Sequence, residues 1–371
     1  ADLCPAALAE VMRDALNIEH ASMVAVWDFA CKPIATRRVV WYARGMNNAA
    51  TTRTVLITGG GGFIGSHLVE RMLADGWAVV VLDDFSTGRR ENLMAVAESA
   101  ALQIVEGSVC DAPLVARLVA EADAVVHLAA AVGVRLIVEQ PARTLETNIQ
   151  GATNVLDAAA AGGTRILLAS TSEVYGKSSA VPFTEEADLV LGPSTHSRWG
   201  YACSKLADEF LAMAYHAQSA LPVTVCRLFN TVGPRQVGRY GMVVPRFVDW
   251  ALAGKPLEVY GRGEQTRCFC HVGDTVEALA RLLANDEAAG EVVNVGADAE
   301  ISILDLARRV NESTDNAAGV VHRTAEEAYG RDVEDMQRRV PSIDKLEALT
   351  AFRPQRTLDD ILRDVIAEKK G

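Results

Sequence analysis

Short apolar runs alternate with helix-like segments along most of the chain, beginning near residue 53. Segments such as SHLVERMLADG (66–76) carry apolar residues on one helical face, whereas the runs between them are continuously apolar. Strands of that kind are buried on both faces, so the alternation predicts a parallel sheet covered by helices on each side. Because crossovers between parallel strands are right-handed, we expect a doubly wound α/β sheet. The strand-like runs are RTVLIT (53–58), WAVVVLDD (77–84), LQIVEGSVCD (102–111), ADAVVHLAAA (122–131), TRILLAST (164–171) and LPVTVCRLF (221–229).

This pattern divides the chain into three parts. Residues 1–50 carry no visible functional motif and are interpreted as an N-terminal extension of unknown role. Residues 51–232 hold the alternating pattern and are predicted to form the doubly wound domain, with 276–298 returning to it. Prolines and glycines interrupt shorter helical segments beyond this point, so 233–371 is predicted to form mainly a smaller C-terminal lobe that binds substrate.

Composition and charge exclude several classes of protein. Of the 371 residues, 50% are hydrophobic and 23% are charged, as in folded proteins. Lys and Arg number 36 and Asp and Glu 48, and the net charge of −12 argues against sequence-independent nucleic-acid binding. No apolar run approaches the roughly 20 residues of a membrane-spanning helix, and the N-terminus does not resemble a secretory signal. The seven cysteines are scattered, which favours free thiols, a cytoplasmic location and no metal site.

A glycine-rich turn stands between the first strand and the first helix. Gly59, Gly62 and Gly65 give the spacing GxxGxxG, which allows a tight turn and a close approach of backbone to a pyrophosphate at a helix N-terminus. The second strand ends at Asp83, where a carboxylate can accept hydrogen bonds from adenosine ribose hydroxyls. This arrangement predicts a Rossmann-type site for NAD rather than NADP, although the arginines at 89 and 90 could weaken that preference. A glycine-rich turn without a ligand is the alternative.

A second motif predicts acid–base chemistry. Tyr201 and Lys205 are four residues apart, so on a helix they share one face. A lysine cation favours the phenolate form of a nearby tyrosine, which can then remove a proton from a sugar hydroxyl. The cluster Ser170–Gly176 follows the strand TRILLAST, at the end of the sheet where ligands bind in open α/β folds. The hydroxyl of Thr171 is the candidate bridge to the reacting oxygen.

These motifs resemble, in order, those of the extended short-chain dehydrogenase/reductase family. The resemblance runs from about residue 53 to 366 and rests on TGGGGFIG, HLAA, STSEVYG, YACSK, RLFNTVGPRQ and TRCFCHVGD. Its NAD-dependent members are nucleotide-sugar epimerases, dehydratases and decarboxylases. The resemblance therefore implies NAD, a nucleotide-sugar substrate such as a UDP-sugar, and a homodimer formed through helices near 148–160 and 201–218.

The resemblance also implies roles for individual residues. Tyr201 acts as the base, Lys205 as its electrostatic partner, and Thr171 as the hydroxyl bridge, with Glu173 and Arg339 acting after the oxidation of carbon 4. The implied cofactor contacts are Gly59, Gly62, Phe63, Ile64, Gly65, Asp83, Ser108, Val109, Leu128, Ala129, Tyr201 and Lys205. The implied substrate contacts are Ser172, Glu173, Asn230, Arg267 and Arg339.

Several departures from the epimerase pattern favour a decarboxylase. Glu173 stands where epimerases usually have a small or apolar residue. The pair at 198–199, the Arg-Cys-Phe stretch at 267–269, and Tyr329-Gly330 followed by Arg339 resemble decarboxylases acting on UDP-glucuronate or its derivatives. In contrast, Met242 stands where UDP-xylose synthases have an arginine. The expected reaction is decarboxylation of UDP-glucuronate, with UDP-sugar 4-epimerase, nucleotide-sugar 4,6-dehydratase and a non-catalytic NAD-binding scaffold or sensor as alternatives.

Overall fold

A seven-stranded sheet, parallel throughout, forms the centre of the computed structural model. The structure describes residues 52–132, 141–238, 242–324 and 336–371, together with the backbone but not the side chain of Arg198. The expected extension 1–50 and the pair Tyr329-Gly330 lie outside the described residues. The strands are β1 Thr54–Thr58, β2 Ala78–Asp83, β3 Leu102–Glu106, β4 Ala124–His127, β5 Arg165–Thr171, β6 Val223–Leu228, β7 Thr231–Val232, β8 Leu257–Tyr260, β9 Thr266–Cys268, β10 Cys270–His271, β11 Val292–Val295, β12 Glu300–Ser302, β13 Val320–Arg323 and β14 Arg338–Arg339.

The order of strands confirms the predicted doubly wound fold. It runs β11-β6-β5-β4-β1-β2-β3, so the chain reverses direction across the sheet between β1 and β4. The side chains of β1 and β4 alternate between two apolar layers and are almost entirely buried. Burial on both faces explains why these strands read as continuous apolar runs. In such sheets ligands bind at the carboxyl ends of the strands, beside the point of reversal.

Helices cover both faces of the sheet. One face packs against α1 (63–74), α6 (272–284) and α8 (344–350), and the other packs against α2 (112–120), α3 (141–162) and α4 (198–219). Asp111 caps α2 by accepting a hydrogen bond from Leu114 N at 3.1 Å, and Gly76 ends the turn after α1 with φ +81°. The helices are α1 Phe63–Ala74, α2 Ala112–Ala120, α3 Pro141–Gly162, α4 Arg198–Ser219, α5 Val243–Leu252, α6 Val272–Ala284, α7 Ile303–Thr314, α8 Asp344–Thr350 and α9 Leu358–Lys370.

The C-terminal part has an apolar core of its own, formed by α5, α7 and α9 against β8. The stretch RCFCHV reads as one strand in the sequence but forms two, because β9 pairs with β12 and β14 whereas β10 pairs with β7. The break falls at Phe269, whose buried side chain belongs to this second core. Pairing of β14 with β9 places Arg339 beside Arg267. Of the helices described, none is both long and apolar enough to cross a membrane.

A small aromatic cluster joins the carboxyl end of β5 to the C-terminal part. Phe183 stacks on Tyr175 with ring centroids 4.5 Å apart, and both side chains are fully buried with Phe229 and Met336. The Phe183 backbone accepts a hydrogen bond from Ser342 N at 2.8 Å and donates one of 2.8 Å to the carbonyl of residue 340. The cluster thereby holds the segment that follows Arg339 against the sheet.

Substitution Phe183→Ala should lower the free energy of unfolding by about 3–5 kcal/mol, because it opens a cavity beneath the site. Urea unfolding followed by circular dichroism measures the change. The control is Met94→Ala, since Met94 is 70% exposed and its truncation should change stability by no more than about 0.5 kcal/mol. Equal effects of the two substitutions would contradict the packing described here.

Candidate active site

The glycine turn connects β1 to α1 and requires glycine at specific positions. Gly59 has φ +73°, and a Cβ there would lie 2.8 Å from the backbone nitrogen of Ala129. A Cβ on Gly65 would overlap the Gly59 carbonyl oxygen. Helix α1 begins at Phe63, and Gly62, its N-cap, has no side chain to bind the first N–H groups. The positive end of the helix is therefore open to an anion.

Asp83 lies at the carboxyl end of β2, beside this turn. Its Oδ2 accepts a hydrogen bond of 2.8 Å from Gly61 N, and its Oδ1 accepts one of 2.8 Å from Phe85 N. Burial raises the pKa of this carboxyl, whereas the two backbone hydrogen bonds oppose that shift. Arg90 lies over the Phe85 ring and pairs with Glu106. A carboxylate fixed next to the glycine turn suits the ribose of a dinucleotide.

The remaining expected cofactor contacts lie at the ends of β3 and β4. The Ser108 hydroxyl accepts a hydrogen bond from Cys110 N at 3.2 Å, so it stabilises a local turn. Val109 is buried, and its carbonyl accepts a bond of 2.9 Å from Asn154. Leu128 N donates to the Thr58 carbonyl at 3.1 Å, and Ala129 N donates to the Thr58 hydroxyl at 3.3 Å. The two hydrogen bonds to Thr58 align the end of β4 with the end of β1, where the glycine turn begins.

Tyr201 on α4 meets Thr171 at the end of β5. The two hydroxyl groups share a hydrogen bond, which favours the phenolate. Burial nevertheless raises the pKa of Tyr201 above its usual value, and the negative charges of Glu173 and Asp208 raise it further. Tyr201 is therefore a neutral phenol at neutral pH in this structure. A positive charge entering the site would favour its deprotonation.

Lys205 lies one turn beyond Tyr201 on α4 and is 3% exposed. Its Nζ donates to Asp208 Oδ2 at 2.9 Å, forming a buried ion pair. Burial raises the pKa of the Asp208 carboxyl, and the lysine opposes that shift. Sequence reasoning missed Asp208, although a carboxylate three residues after a helical lysine was an available signal.

Glu173 and Arg339 form a second ion pair in the same site. Arg339 Nη2 lies 2.6 Å from Glu173 Oε1, and the arginine side chain is 8% exposed against 24% for the glutamate. Glu173 lies two residues after Thr171 in the turn after β5, and its backbone N–H donates to the Thr171 hydroxyl at 3.2 Å. Arg339 Nε is buried and has no hydrogen-bond partner within the described ranges. The structure thus brings together two residues that are far apart in sequence, and leaves one guanidinium donor for a further acceptor.

The other expected substrate contacts are more strongly engaged with the protein. Asn230, with φ +28°, donates from Nδ2 to the Cys268 carbonyl at 2.9 Å. Arg267 donates from Nη1 to the carbonyls of Thr266 and Met336, at 2.7 and 2.9 Å. Ser172 is 1% exposed. Asn230 and Arg267 therefore support the backbone of β9 and of Met336, and Ser172 is buried.

Trp199 and Met242 were singled out in the sequence for opposite reasons. Trp199 is 4% exposed, and a Cβ on Gly192 would overlap its indole, so packing accounts for its position. Lys177 lies over the same ring at 5.9 Å. Met242 is half-buried at the N-cap of α5. Neither position by itself distinguishes decarboxylation from epimerisation.

A buried polar network behind β5 was also missed by sequence reasoning. Arg227 on β6 donates to Glu209 Oε2 on α4 at 2.8 Å and to the Tyr175 hydroxyl at 2.9 Å. Tyr175 in turn donates to Asn294 at 2.7 Å, and Ser170 donates to Glu209. The network ties β5, β6, β11 and α4 together. Its members touch no open part of the site, so their part is to hold the strand end and α4 in position.

The fold is that of the extended short-chain dehydrogenase/reductase class, as the motifs predicted. The family model described as GDP-mannose 4,6 dehydratase matches residues 56–365. The chain belongs to this family and is an enzyme.

Three relatives illustrate the range of this similarity. UDP-N-acetyl-alpha-D-glucosaminuronate decarboxylase of Bacillus cytotoxicus is 38% identical over 84% of this chain and 96% of its own. UDP-glucuronic acid decarboxylase 2 of Arabidopsis thaliana is 36% identical over 82% of this chain but only 65% of its own length. The dTDP-glucose 4,6-dehydratase DesIV of Streptomyces venezuelae, solved with NAD bound, is 32% identical with a TM-score of 0.77, covering 85% of this chain and 97% of its own.

His127 provides a test of the burial described at the end of β4. Its Nδ1 lies 2.8 Å from the Thr58 hydroxyl, and burial, aided by Lys205, lowers its pKa to about 3. Because the unfolded chain takes up this proton near pH 6.5, stability should fall as the pH drops from about 6.5 towards 3, by about 2 kcal/mol between pH 7 and pH 5. In His127→Asn, which keeps an acceptor for Thr58 but does not titrate, this contribution should vanish.

Urea unfolding at both pH values measures the difference. His322→Asn is the control, since His322 is exposed and this variant should lose as much stability on acidification as the native chain does. An unchanged acid loss in His127→Asn would contradict the assignment of His127 as a buried, neutral group.

Proposed function

We propose that the enzyme oxidises carbon 4 of a UDP-hexuronate and then decarboxylates the sugar, with UDP-glucuronate as the leading substrate. The observation that carries this proposal is the Glu173–Arg339 ion pair of 2.6 Å beside Thr171 and Tyr201. A guanidinium at that place suits a substrate carboxylate. Two relatives are named as decarboxylases of UDP-glucuronic acid and of UDP-N-acetyl-alpha-D-glucosaminuronate. These names support the same substrate class.

The residues around the glycine turn fit NAD. The open N-terminus of α1 suits its pyrophosphate, and Asp83 suits the adenosine ribose hydroxyls and disfavours a 2′-phosphate. Lys205 is placed to reach the nicotinamide ribose, and Leu128 and Ala129 line the cleft at the β4 end. When bound, NAD accepts a hydride from carbon 4 of the sugar and supplies a positive ring near the phenol.

Oxidation depends on Tyr201 and Thr171. The phenolate of Tyr201 takes the proton of the 4-hydroxyl, and the Thr171 hydroxyl bridges the same oxygen. The interaction between the two hydroxyl groups supports a shared role of both at one substrate atom. The product is a 4-keto sugar whose keto group is β to the carboxylate at carbon 6.

Decarboxylation follows from that relation. Arg339 binds the substrate carboxylate through the donor that Glu173 leaves unused. The bond between carbons 5 and 6 breaks, carbon dioxide leaves, and the electron pair moves onto oxygen 4 as an enolate, which the Thr171 and Tyr201 hydroxyls stabilise. Glu173 then protonates carbon 5. Asn230 and Arg267 contact the diphosphate of the substrate, and Ser172, between Thr171 and Glu173 in the chain, is a further substrate contact.

Incubation of the protein with NAD and UDP-glucuronate tests the proposal. We expect carbon dioxide release and a UDP-pentose or UDP-4-keto-pentose in the NMR spectrum, and the N-acetylated substrate is tested in parallel. Formation of UDP-galacturonate without carbon dioxide would instead establish the 4-epimerase.

Arg339→Ala should reduce carbon dioxide release by about a hundredfold or more, because the substrate carboxylate and the enolate lose their electrostatic partner. Glu173→Gln should slow the protonation of carbon 5 that follows carbon dioxide loss, and so the formation of the pentose product, while Tyr201→Phe should abolish the preceding oxidation. The matched control is Arg338→Ala, an adjacent arginine on β14 that pairs with Glu300 at the surface and should change the rate by less than about twofold. If both arginine variants behave alike, Arg339 has no special part in the reaction.

We propose further that two copies of the chain form a dimer through α3 and α4. These helices pack against each other, and they carry the exposed apolar side chains Ile149 and Phe210, which are 40% and 69% exposed. Large apolar groups on adjacent helices favour burial in an interface.

Phe210→Asp should weaken the dimer by at least about tenfold in dissociation constant, since a charge would enter an apolar interface. Sedimentation velocity over a concentration series measures the change. Val190→Asp is the control, because Val190 is 46% exposed but lies outside α3 and α4. A native chain that sediments as a monomer at all concentrations would overturn this proposal.

A further inference from the structure

Asp208, which forms a buried ion pair with Lys205 within α4, has no part in the mechanism above. Lys205 and Asp208 are 3% and 1% exposed, and their side chains meet at 2.9 Å between Nζ and Oδ2. Asp208 Oδ1 is also buried, and no residue in the described part of the chain donates a hydrogen bond to it. A buried carboxylate oxygen without a hydrogen bond lowers the stability of the fold.

His127 and Glu209 are further titratable groups that interact with this ion pair. The ammonium of Lys205 is flanked by Asp208 on its own helix and by His127 from β4, whose pKa its charge lowers. Asp208 is followed by Glu209, which raises the pKa of Asp208 and is itself held by Arg227 of β6. Lys205 is therefore the group that balances Asp208 directly.

The phenol of Tyr201 is also influenced by charged groups around this ion pair. Lys205 is the cation expected to favour its phenolate, whereas Asp208 and Glu173 oppose the phenolate, and Glu173 is compensated by Arg339. The carboxylate of Asp208 adds a negative charge to the surroundings of the phenol, and this charge opposes loss of the phenol proton.

We propose that Asp208 is a positioning residue for the oxidation step: it holds the Lys205 ammonium in place on α4 and limits how much of its charge reaches the Tyr201 phenol. The phenol then keeps its proton until a further positive charge enters the cleft. This inference rests on the proposed function for its relevance to catalysis, but the contact itself is a property of the chain.

Asp208→Asn tests the inference, because the amide can still accept a hydrogen bond from Lys205 but carries no charge. The pH at which Tyr201 ionises is read from tyrosinate absorbance, as the difference between each protein and its Tyr201→Phe counterpart. We expect Asp208→Asn to move this transition to lower pH by about one unit, because it removes one negative charge from the surroundings of the phenol. Asp208→Glu should restore the native position.

The rate of hydride transfer to NAD from UDP-glucuronate should follow the same shift in its pH profile. The matched control is Asp305→Asn, since Asp305 forms an i,i+3 pair with Arg308 at the surface, and neither the titration nor the pH profile should change in this variant. Failure of the native protein to oxidise any UDP-sugar would overturn the proposed function and leave the absorbance titration to decide on Asp208.

An unchanged or higher transition pH in Asp208→Asn would overturn the inference. The same conclusion would follow if Asp208→Asn only lowered the rate equally at every pH, as expected of a purely structural residue. If Asp208→Asn does not fold, Asp208→Ser, which also removes the charge but keeps a polar side chain, takes its place, and an unshifted transition in that variant would count against the proposal.

Discussion

Two ion pairs constrain the whole site, a buried one between Lys205 and Asp208 and a partly buried one between Glu173 and Arg339. Removing a charge from water costs several kcal/mol unless a partner of opposite charge is held close to it. Glu173 and Arg339 meet this condition across two separate parts of the chain, whereas Lys205 and Asp208 meet it within one helix. The first pair therefore fixes the segment around β14 against the sheet, and the second fixes the charge that faces the phenol of Tyr201.

The architecture could be predicted from the sequence because its determinants are local. A strand buried on both faces must be apolar throughout, and a turn that brings backbone against backbone must use glycine, as at Gly59 and Gly65. The stretch around Phe269 was harder to interpret. Its two halves pair with different strands, and this choice depends on distant partners, namely β7 for one half and β12 and β14 for the other, which no local pattern reveals.

The residues of the site also divide into those that local sequence predicts and those that depend on distant partners. Tyr201 and Lys205 could be placed together from helical spacing alone, and Thr171 and Glu173 from their position at a strand end. Arg339 entered only through family resemblance, because 166 residues separate it from Glu173 and only the pairing of β14 with β9 brings it into the site. Asp208 was missed for another reason: a lysine and an aspartate three residues apart resemble a solvated surface pair until their burial is known.

The charge balance at Arg339 also explains why a uronate suits this site better than a neutral sugar. In the structure one guanidinium compensates one carboxylate, that of Glu173. A substrate that brings a second carboxylate to Arg339 creates two like charges around one cation, and such an arrangement favours a proton on one of them. Glu173 is the more exposed of the original pair and is the group free to take that proton. Carbon 5 needs a proton once carbon dioxide has left, so binding of the substrate itself prepares the acid that completes the reaction. A neutral sugar would leave Glu173 ionised and paired with Arg339, without a proton to give.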